Sequence, residues 1–389
     1  MKNCKSIDKK YVANTYSRFD IEIVSGKGSY VFDDKGKKYI DLNSGIAVNT
    51  FGFCDKKWID ATTNQMNQFQ HVSNLYYSAP GAKLAKMLCK RTGAKKVFFG
   101  NSGAEANECA IKVARKWAKD KFGEDDYYII TLKNSFHGRT ITTLKATGQD
   151  VFHKDFGPFT EGFLYADPSN ANELINLAKS KKCCAFMFEM IQGEGGVLPL
   201  DKNFVSKIVD YAHRNDILLI VDEVQTGNGR TGTLYAYEQY GFTPDIVTTA
   251  KGLAGGLPLG ATLLFEKVEK TLGYGSHGST FGANPVSCAG AISILSRINS
   301  KLLKSVNEKS KYIFDSLNGA KGIKSVSGMG LMIGIETDED SSVVLKKCIE
   351  NGVLPIKAKN KIRLLPALNI PMNTLKEAVK IIKKCAAGE

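Results

Sequence analysis

Apolar residues run along this chain in two rhythms. Short, nearly continuous runs occur at Lys96-Val-Phe-Phe-Gly100, Tyr127-Tyr-Ile-Ile-Thr131, Ala185-Phe-Met-Phe-Glu189, Leu218-Leu-Ile-Val-Asp222 and Ile246-Val-Thr-Thr249. Runs of this length, rich in β-branched and aromatic residues, suit strands covered on both faces. Between them the spacing lengthens to that of a helix. Leu84, Met87 and Leu88 mark one helix over 80–91, and 105–122 and 204–214 mark two more. Strands alternating with helices predict an α/β fold with a mostly parallel central sheet.

The two ends read differently. Up to about residue 45 the chain reads as short strands and turns, with a hairpin formed by Gly28–Gly36 and Lys38–Leu42. After Pro285, helical spacing over 286–298 and 301–317 gives way to strands at 330–336 and 361–365 and a closing helix over 375–385. Three parts are expected: an N-terminal segment, 1–45, packing with the small domain; a large domain, 46–284; and a small α+β domain, 285–389.

Composition narrows the field. The formal charge of +14 is spread over scattered lysines, with no arginine block interleaved with aromatics, so solvated helix faces explain it better than a nucleic-acid surface. An anionic substrate or cofactor would gain from the same field. The nine cysteines fit no metal ribbon and no CxxC pair, which predicts free thiols in a reducing compartment. The five histidines never stand four apart on one helix, so no metal site is expected. No signal-peptide core and no long apolar run is present, so a cytoplasmic location without membrane contact is expected.

Polar residues cluster where the buried runs end, the edge at which open α/β sheets bind ligands. Lys251 follows one run and precedes Gly252-Leu-Ala-Gly-Gly256. Desolvation there would make its amine nucleophilic, although a lysine reaching solvent from a strand end fits equally well. Asp222 ends another run. It could hold a pyridinium nitrogen, or it could be an ordinary cap or ion pair. Ser102-Gly-Ala-Glu105 lies between strand and helix, where small residues let backbone N–H groups reach an anion; it also reads as a capping box. Glu189 ends a further run. The match of Gly227-Asn-Gly-Arg-Thr-Gly232 to a dinucleotide fingerprint lacks the strand–turn–helix succession that would give it meaning.

Taken together, several blocks resemble the class III pyridoxal-phosphate aminotransferases, and most closely their acetylornithine branch, over nearly the whole chain. They are 101–107 (NSGAEAN), 135–139 (SFHGR), 189–196 (EMIQGEGG), 222–227 (DEVQTG), 249–252 (TAKG), 275–282 (GSHGSTFG) and 362–366 (IRLLP). The resemblance implies the aspartate-aminotransferase type of fold, a pyridoxal 5'-phosphate cofactor and a homodimer with shared active sites. It implies that Lys251 carries the cofactor as a Schiff base and later moves the substrate proton. Asp222 would keep the pyridine nitrogen protonated, Gln225 would bond the ring's phenolic oxygen, and Phe136 and Val224 would pack its faces. Ser102, Gly103 and Ala104 would form the phosphate cup, joined by Thr280 from the neighbouring subunit, with Ser279 near substrate. Arg139 and Arg363 would clamp carboxylates, a task suited to a planar guanidinium. Glu194 would pair with Arg363 while the amino donor reacts and release it for 2-oxoglutarate.

The implied reaction is transamination of N2-acetylornithine with 2-oxoglutarate, giving N-acetylglutamate 5-semialdehyde and glutamate in arginine biosynthesis. Gly45 stands where ornithine-specific relatives carry a tyrosine, which leaves room for an acylated amine. Ornithine, succinylornithine, succinyl-diaminopimelate and 4-aminobutyrate are the alternative substrates. A basic nucleic-acid-binding protein and an inactive scaffold are the readings outside this enzyme class. Two positions depart from the family pattern, Met190 in place of proline and Ala104 in place of threonine.

Overall fold

The computed structural model describes residues 4–123 and 127–389, so residues 1–3 of the expected N-terminal segment lie outside the described residues. The chain opens on a helix, Cys4–Tyr11, where strands and turns were expected. No glycine or proline interrupts that stretch, and its lysines are good helix formers. Strands β1 (Ile23–Lys27), β2 (Tyr30–Asp33) and β3 (Lys38–Asp41) follow as an antiparallel ladder. The expected hairpin is β2–β3. Its turn closes on the Asp33 carboxylate, which accepts from the backbone N–H groups of Lys35 and Lys37 at 3.0 and 2.8 Å.

The central sheet is built from β4 (Lys96–Gly100), β5 (Tyr128–Leu132), β6 (Phe163–Ala166) and β7 (Cys183–Phe188). After a two-residue ladder of β8 (Ile191–Gln192) and β9 (Leu198–Pro199), it is completed by β10 (Leu218–Asp222), β11 (Ile246–Thr249) and β12 (Gly260–Leu264). Its seven strands lie in the order β4-β12-β11-β10-β7-β5-β6. Only β12 runs against its neighbours, so the sheet is mostly parallel, as the alternating pattern predicted.

Alternate residues of each strand face opposite layers. On β10, Leu219 and Val221 pack with Leu84, Leu88, Phe204 and Ile208 on one side. Leu218 and Ile220 pack with Cys109, Ala110, Val113 and Ala114 of the helix Gly103–Phe122 on the other. The result is a three-layer α/β/α body.

The C-terminal region forms a second, fully antiparallel sheet from β13 (Ile323–Met329), β14 (Met332–Thr337), β16 (Ile356–Ala358) and β17 (Lys361–Leu364), in the order β13-β14-β17-β16. Strand β15 (Val353–Leu354) pairs instead with β3, in parallel. Ile40 and Leu42 accordingly share a core with Val306, Ile313, Leu375 and Ile382.

The main sheet positions the site. Parallel strands β7, β10 and β11 end side by side, just before Glu189, at Asp222, and two residues before Lys251. Strand β4 runs in the same sense as β11 because both oppose β12, so Asn101 emerges at the same edge.

Candidate active site

A cavity of about 460 Å³ opens at that edge. Lys251, Asp222, Gln225, Val224, Phe136, Arg139 and the Ser102–Ala104 turn all line it, so residues far apart in sequence converge there. Lys251 sits in a short 3₁₀ turn with φ +44°, a conformation costly for a residue with a side chain. No hydrogen bond or ion pair engages its amine among the described residues. Burial is the main cause that lowers its pKa to about 8. Glu194, Asp222 and Glu189 pull the other way, and Arg363 adds to the lowering.

Asp222 is buried and fully directed. One carboxylate oxygen accepts from Asn107 Nδ2 and pairs with His137 Nδ1, both at 2.8 Å. The other accepts from the Val224 N–H at 3.0 Å. Asn107 is itself oriented by Thr248, whose hydroxyl donates to Asn107 Oδ1 at 2.7 Å. Asn107 and His137 were visible in the sequence blocks but had no role assigned there. Their signal was local: Asn107 lies one turn into the helix behind Ser102, and His137 adjoins Phe136.

Ser102 caps that helix, accepting from the Glu105 N–H at 3.2 Å. The reciprocal half of the capping box is shifted by one residue. The Glu105 carboxylate accepts from the Asn101 N–H and the Ser102 hydroxyl, at 2.9 and 2.8 Å. The N–H groups of the first turn, at Gly103 and Ala104, have no partner within the helix and lie on the cavity wall. A Cβ on Gly103 would stand 2.6 Å from Val224 Cγ1, so only glycine lets the helix start close against Val224. Ala104 lines the wall with a methyl group. Met190 is fully buried, and its carbonyl accepts from the Leu200 N–H.

Behind Gln225 stands a charged pair. Arg363, only 2% exposed, donates to Glu194 at 2.7 and 3.3 Å and to Gln225 Oε1 at 2.9 Å. Gln225 Nε2 reaches Glu194 at 3.3 Å. Burial pushes the Glu194 carboxyl up, but Arg363, joined by Lys251 and Gln225, holds the group below its usual range. Glu194 and Arg363 therefore meet the cavity through Gln225 and do not line it themselves. Glu189 does line it. Burial first, and then the Asp222 charge, push its carboxyl well above the usual range, although it accepts from the N–H groups of Phe136 and Gly193. This residue was noted in sequence only as a strand end.

The outer positions are less enclosed. Arg139 is exposed and stacks on Phe152, with 4.2 Å from guanidinium carbon to ring centroid. Ser279 accepts from Asn101 Nδ2 at 3.2 Å and so touches the wall from behind. Thr280 is exposed and does not line this chain's cavity. Among the described residues no group of three or more His, Cys, Asp or Glu could hold a metal ion, and no helix is long and apolar enough to cross a membrane.

These residues fit pyridoxal phosphate: an unpaired amine of lowered pKa, a buried carboxylate held by three donors, and a helix start with free N–H groups. A sheet of this topology with an amine and a carboxylate so arranged defines a pyridoxal-phosphate-dependent transferase. The chain belongs to the class-III aminotransferase family, whose model matches residues 11–386, and members of that family depend on pyridoxal phosphate. It is 49% identical to an acetylornithine aminotransferase of Haemophilus ducreyi, over 97% of each chain. It is 42% identical to one of Methanocaldococcus jannaschii, over 98% of this chain and 99% of that one. Among solved structures, ornithine aminotransferase from Toxoplasma gondii superposes with a TM-score of 0.95 at 31% identity, covering 99% of this chain and 94% of that one. N-acetylornithine aminotransferase from Stenotrophomonas maltophilia gives 0.85 at 34% identity, covering 98% of each.

Proposed function

We propose that this chain transfers the terminal amine of N2-acetylornithine to 2-oxoglutarate. The observation that carries this reading is the Glu194–Arg363 pair. A guanidinium held by an internal carboxylate is one that a substrate carboxylate can take over, and the two half-reactions differ in whether such a carboxylate lies beside the reacting carbon. Bound pyridoxal phosphate would supply an acceptor for the amine and an electron sink for the carbon that loses its proton.

The chain's own residues do the rest. Lys251 would anchor the cofactor, and its amine, neutral near its lowered pKa, would take the proton of the substrate carbon. Asp222, fixed by Asn107 and His137, would hold the ring nitrogen. Gln225 would bond the ring's phenolic oxygen, and Phe136 and Val224 would pack its faces. The N–H groups of Gly103 and Ala104, beside Ser102, take the phosphate. Arg139 holds the donor's distant carboxylate while Glu194 occupies Arg363. With 2-oxoglutarate, Glu194 withdraws and Arg363 takes the adjacent carboxylate.

The acyl preference is supported by the relatives and by Gly45. That glycine lies in a left-handed turn over residues 44–47 that leads into Val48 on the cavity wall. The reading includes a homodimer, in which Thr280, exposed and absent from the lining of its own cavity, would reach the neighbouring one. It includes a cytoplasmic setting, in keeping with nine free cysteines. The pure protein should show the visible absorption of bound pyridoxal phosphate, lose it on adding N-acetylornithine and regain it on adding 2-oxoglutarate. A wild-type protein that stays colourless with added cofactor, or a Lys251→Ala variant that keeps the wild-type band, would refute the reading.

A further inference from the structure

The glycine-rich stretch Gly227–Gly232 matched a dinucleotide motif, yet no helix opens directly behind it, only a short 3₁₀ turn at Ala236–Tyr240, and none of it lines the cavity. Its position is nonetheless specific. At one end, Asn228 Nδ2 donates to the Thr249 hydroxyl at 3.0 Å and to the Ala250 carbonyl at 3.2 Å, the two residues before Lys251. Two residues on, Arg230 is 3% exposed; among the described residues it makes no side-chain hydrogen bond to a carboxylate, although the buried Asp41 carboxylate lies near enough to favour its charge. Its guanidinium donates instead to the carbonyls of Leu331 and Pro366, at 3.1 and 2.5 Å. The Arg230 carbonyl accepts from the Leu331 N–H at 2.8 Å.

Leu331 immediately precedes β14, and Pro366 lies three residues beyond Arg363 on β17. These two strands pair with Gly334 opposite Arg363. Arg230 thus pegs both strands that carry and flank Arg363. The contacts are tight. A Cβ on Gly330 would stand 2.5 Å from the Arg230 carbonyl oxygen, and one on Gly232 would stand 1.9 Å from Asn307 Oδ1. A buried arginine spent on two carbonyls is costly unless the geometry it fixes matters.

We propose that Arg230 is a positioning residue that locks the strand of Arg363 against the Lys251 loop, so that the carboxylate beside the reacting carbon is recognised. This rests on the function proposed above. Arg230 touches no substrate. Through Asn228 and the short loop between them, the backbone that presents the Lys251 amine and the backbone that presents the Arg363 guanidinium share one support. Only substrates needing both groups at once depend on it.

The test uses holoenzyme of wild type, Arg230→Met, Arg230→Lys and Arg363→Ala, with the half-reactions followed separately by visible absorption. Two acceptors are compared: 2-oxoglutarate, and 4-oxobutanoate, which lacks the carboxylate beside the carbonyl. In Arg230→Met the rate constant over KM for 2-oxoglutarate should fall at least roughly tenfold, while 4-oxobutanoate and the N-acetylornithine half-reaction stay within about threefold. Arg230→Lys, which keeps one donor head, should lie between it and wild type, and it carries the test if the methionine variant does not accumulate as holoenzyme. A uniform fall across all three substrates marks a merely structural arginine and overturns the proposal, as does no change. An Arg363→Ala variant that still discriminates between the two acceptors would instead overturn the proposed clamp. A wild type inert to N-acetylornithine would overturn the proposed function.

Discussion

Replacing Glu194 by glutamine isolates the switch that lets one cavity serve two substrates. In the wild type, Glu194 holds Arg363 through contacts of 2.7 and 3.3 Å, so an incoming carboxylate must displace it. A charge-assisted hydrogen bond is worth about 1.5–3 kcal/mol net. The Glu194 side chain is 30% exposed, so part of that is screened, leaving about 1–2 kcal/mol of competition. Glutamine keeps the shape and loses the charge. Substrates that use Arg363 should then bind better by roughly 5- to 30-fold, read as a lower KM for 2-oxoglutarate and a higher kcat/KM for glutamate as donor. N-acetylornithine should not gain, because it is read with Arg363 already occupied. The assay is the pair of half-reactions on Glu194→Gln holoenzyme. Unchanged glutamate and 2-oxoglutarate parameters, or a gain shared equally by N-acetylornithine, would refute the switch.

Further outcomes follow from Lys251 and the helix start. Cofactor uptake by the apoprotein requires the neutral Lys251 amine. The rate should therefore rise with pH, fall tenfold per unit below the pKa of about 8, and level off above it; a half-point near the ordinary lysine value of 10.5 would contradict the burial argument. Gly103→Ala places a methyl group 2.6 Å from Val224 Cγ1, an overpacking of about 1–3 kcal/mol that should weaken cofactor binding roughly 5- to 150-fold in a spectral titration. An unchanged dissociation constant would show that Val224 simply yields.

The strands β10 and β11 were legible in the sequence because both their faces are buried, and they fall at their expected bounds, as does the edge strand β4, whose burial is complete only at its last two residues. The helix Lys56–Met66 was not, because it is mostly polar and buries Thr62 and Gln65 instead of an apolar stripe. Trp58 fixes it by donating from Nε1 to the Ala254 carbonyl at 2.8 Å, a contact across 196 residues. Strand β12 escaped as well, since five residues that include a glycine give little periodicity, and nothing local marks it as antiparallel. At the site, Lys251, Asp222 and the Ser102 turn could be suspected from their places at run ends. The pairing of Glu194 with Arg363 was implied only by the family resemblance, and the place of Gln225 between them was not implied at all, because these contacts span 169 and 138 residues and are set by how β17 packs against the large body. Arg230 was hidden for a different reason: its motif suggested a nucleotide, while its contacts are to backbone carbonyls of the C-terminal sheet.

Whether this aminotransferase prefers an acylated diamine acid is read from kcat/KM on N-acetylornithine and ornithine side by side, with 2-oxoglutarate as acceptor. N-acetylornithine should be clearly preferred, with glutamate formed in step with the semialdehyde. Equal or greater efficiency on free ornithine would contradict that preference.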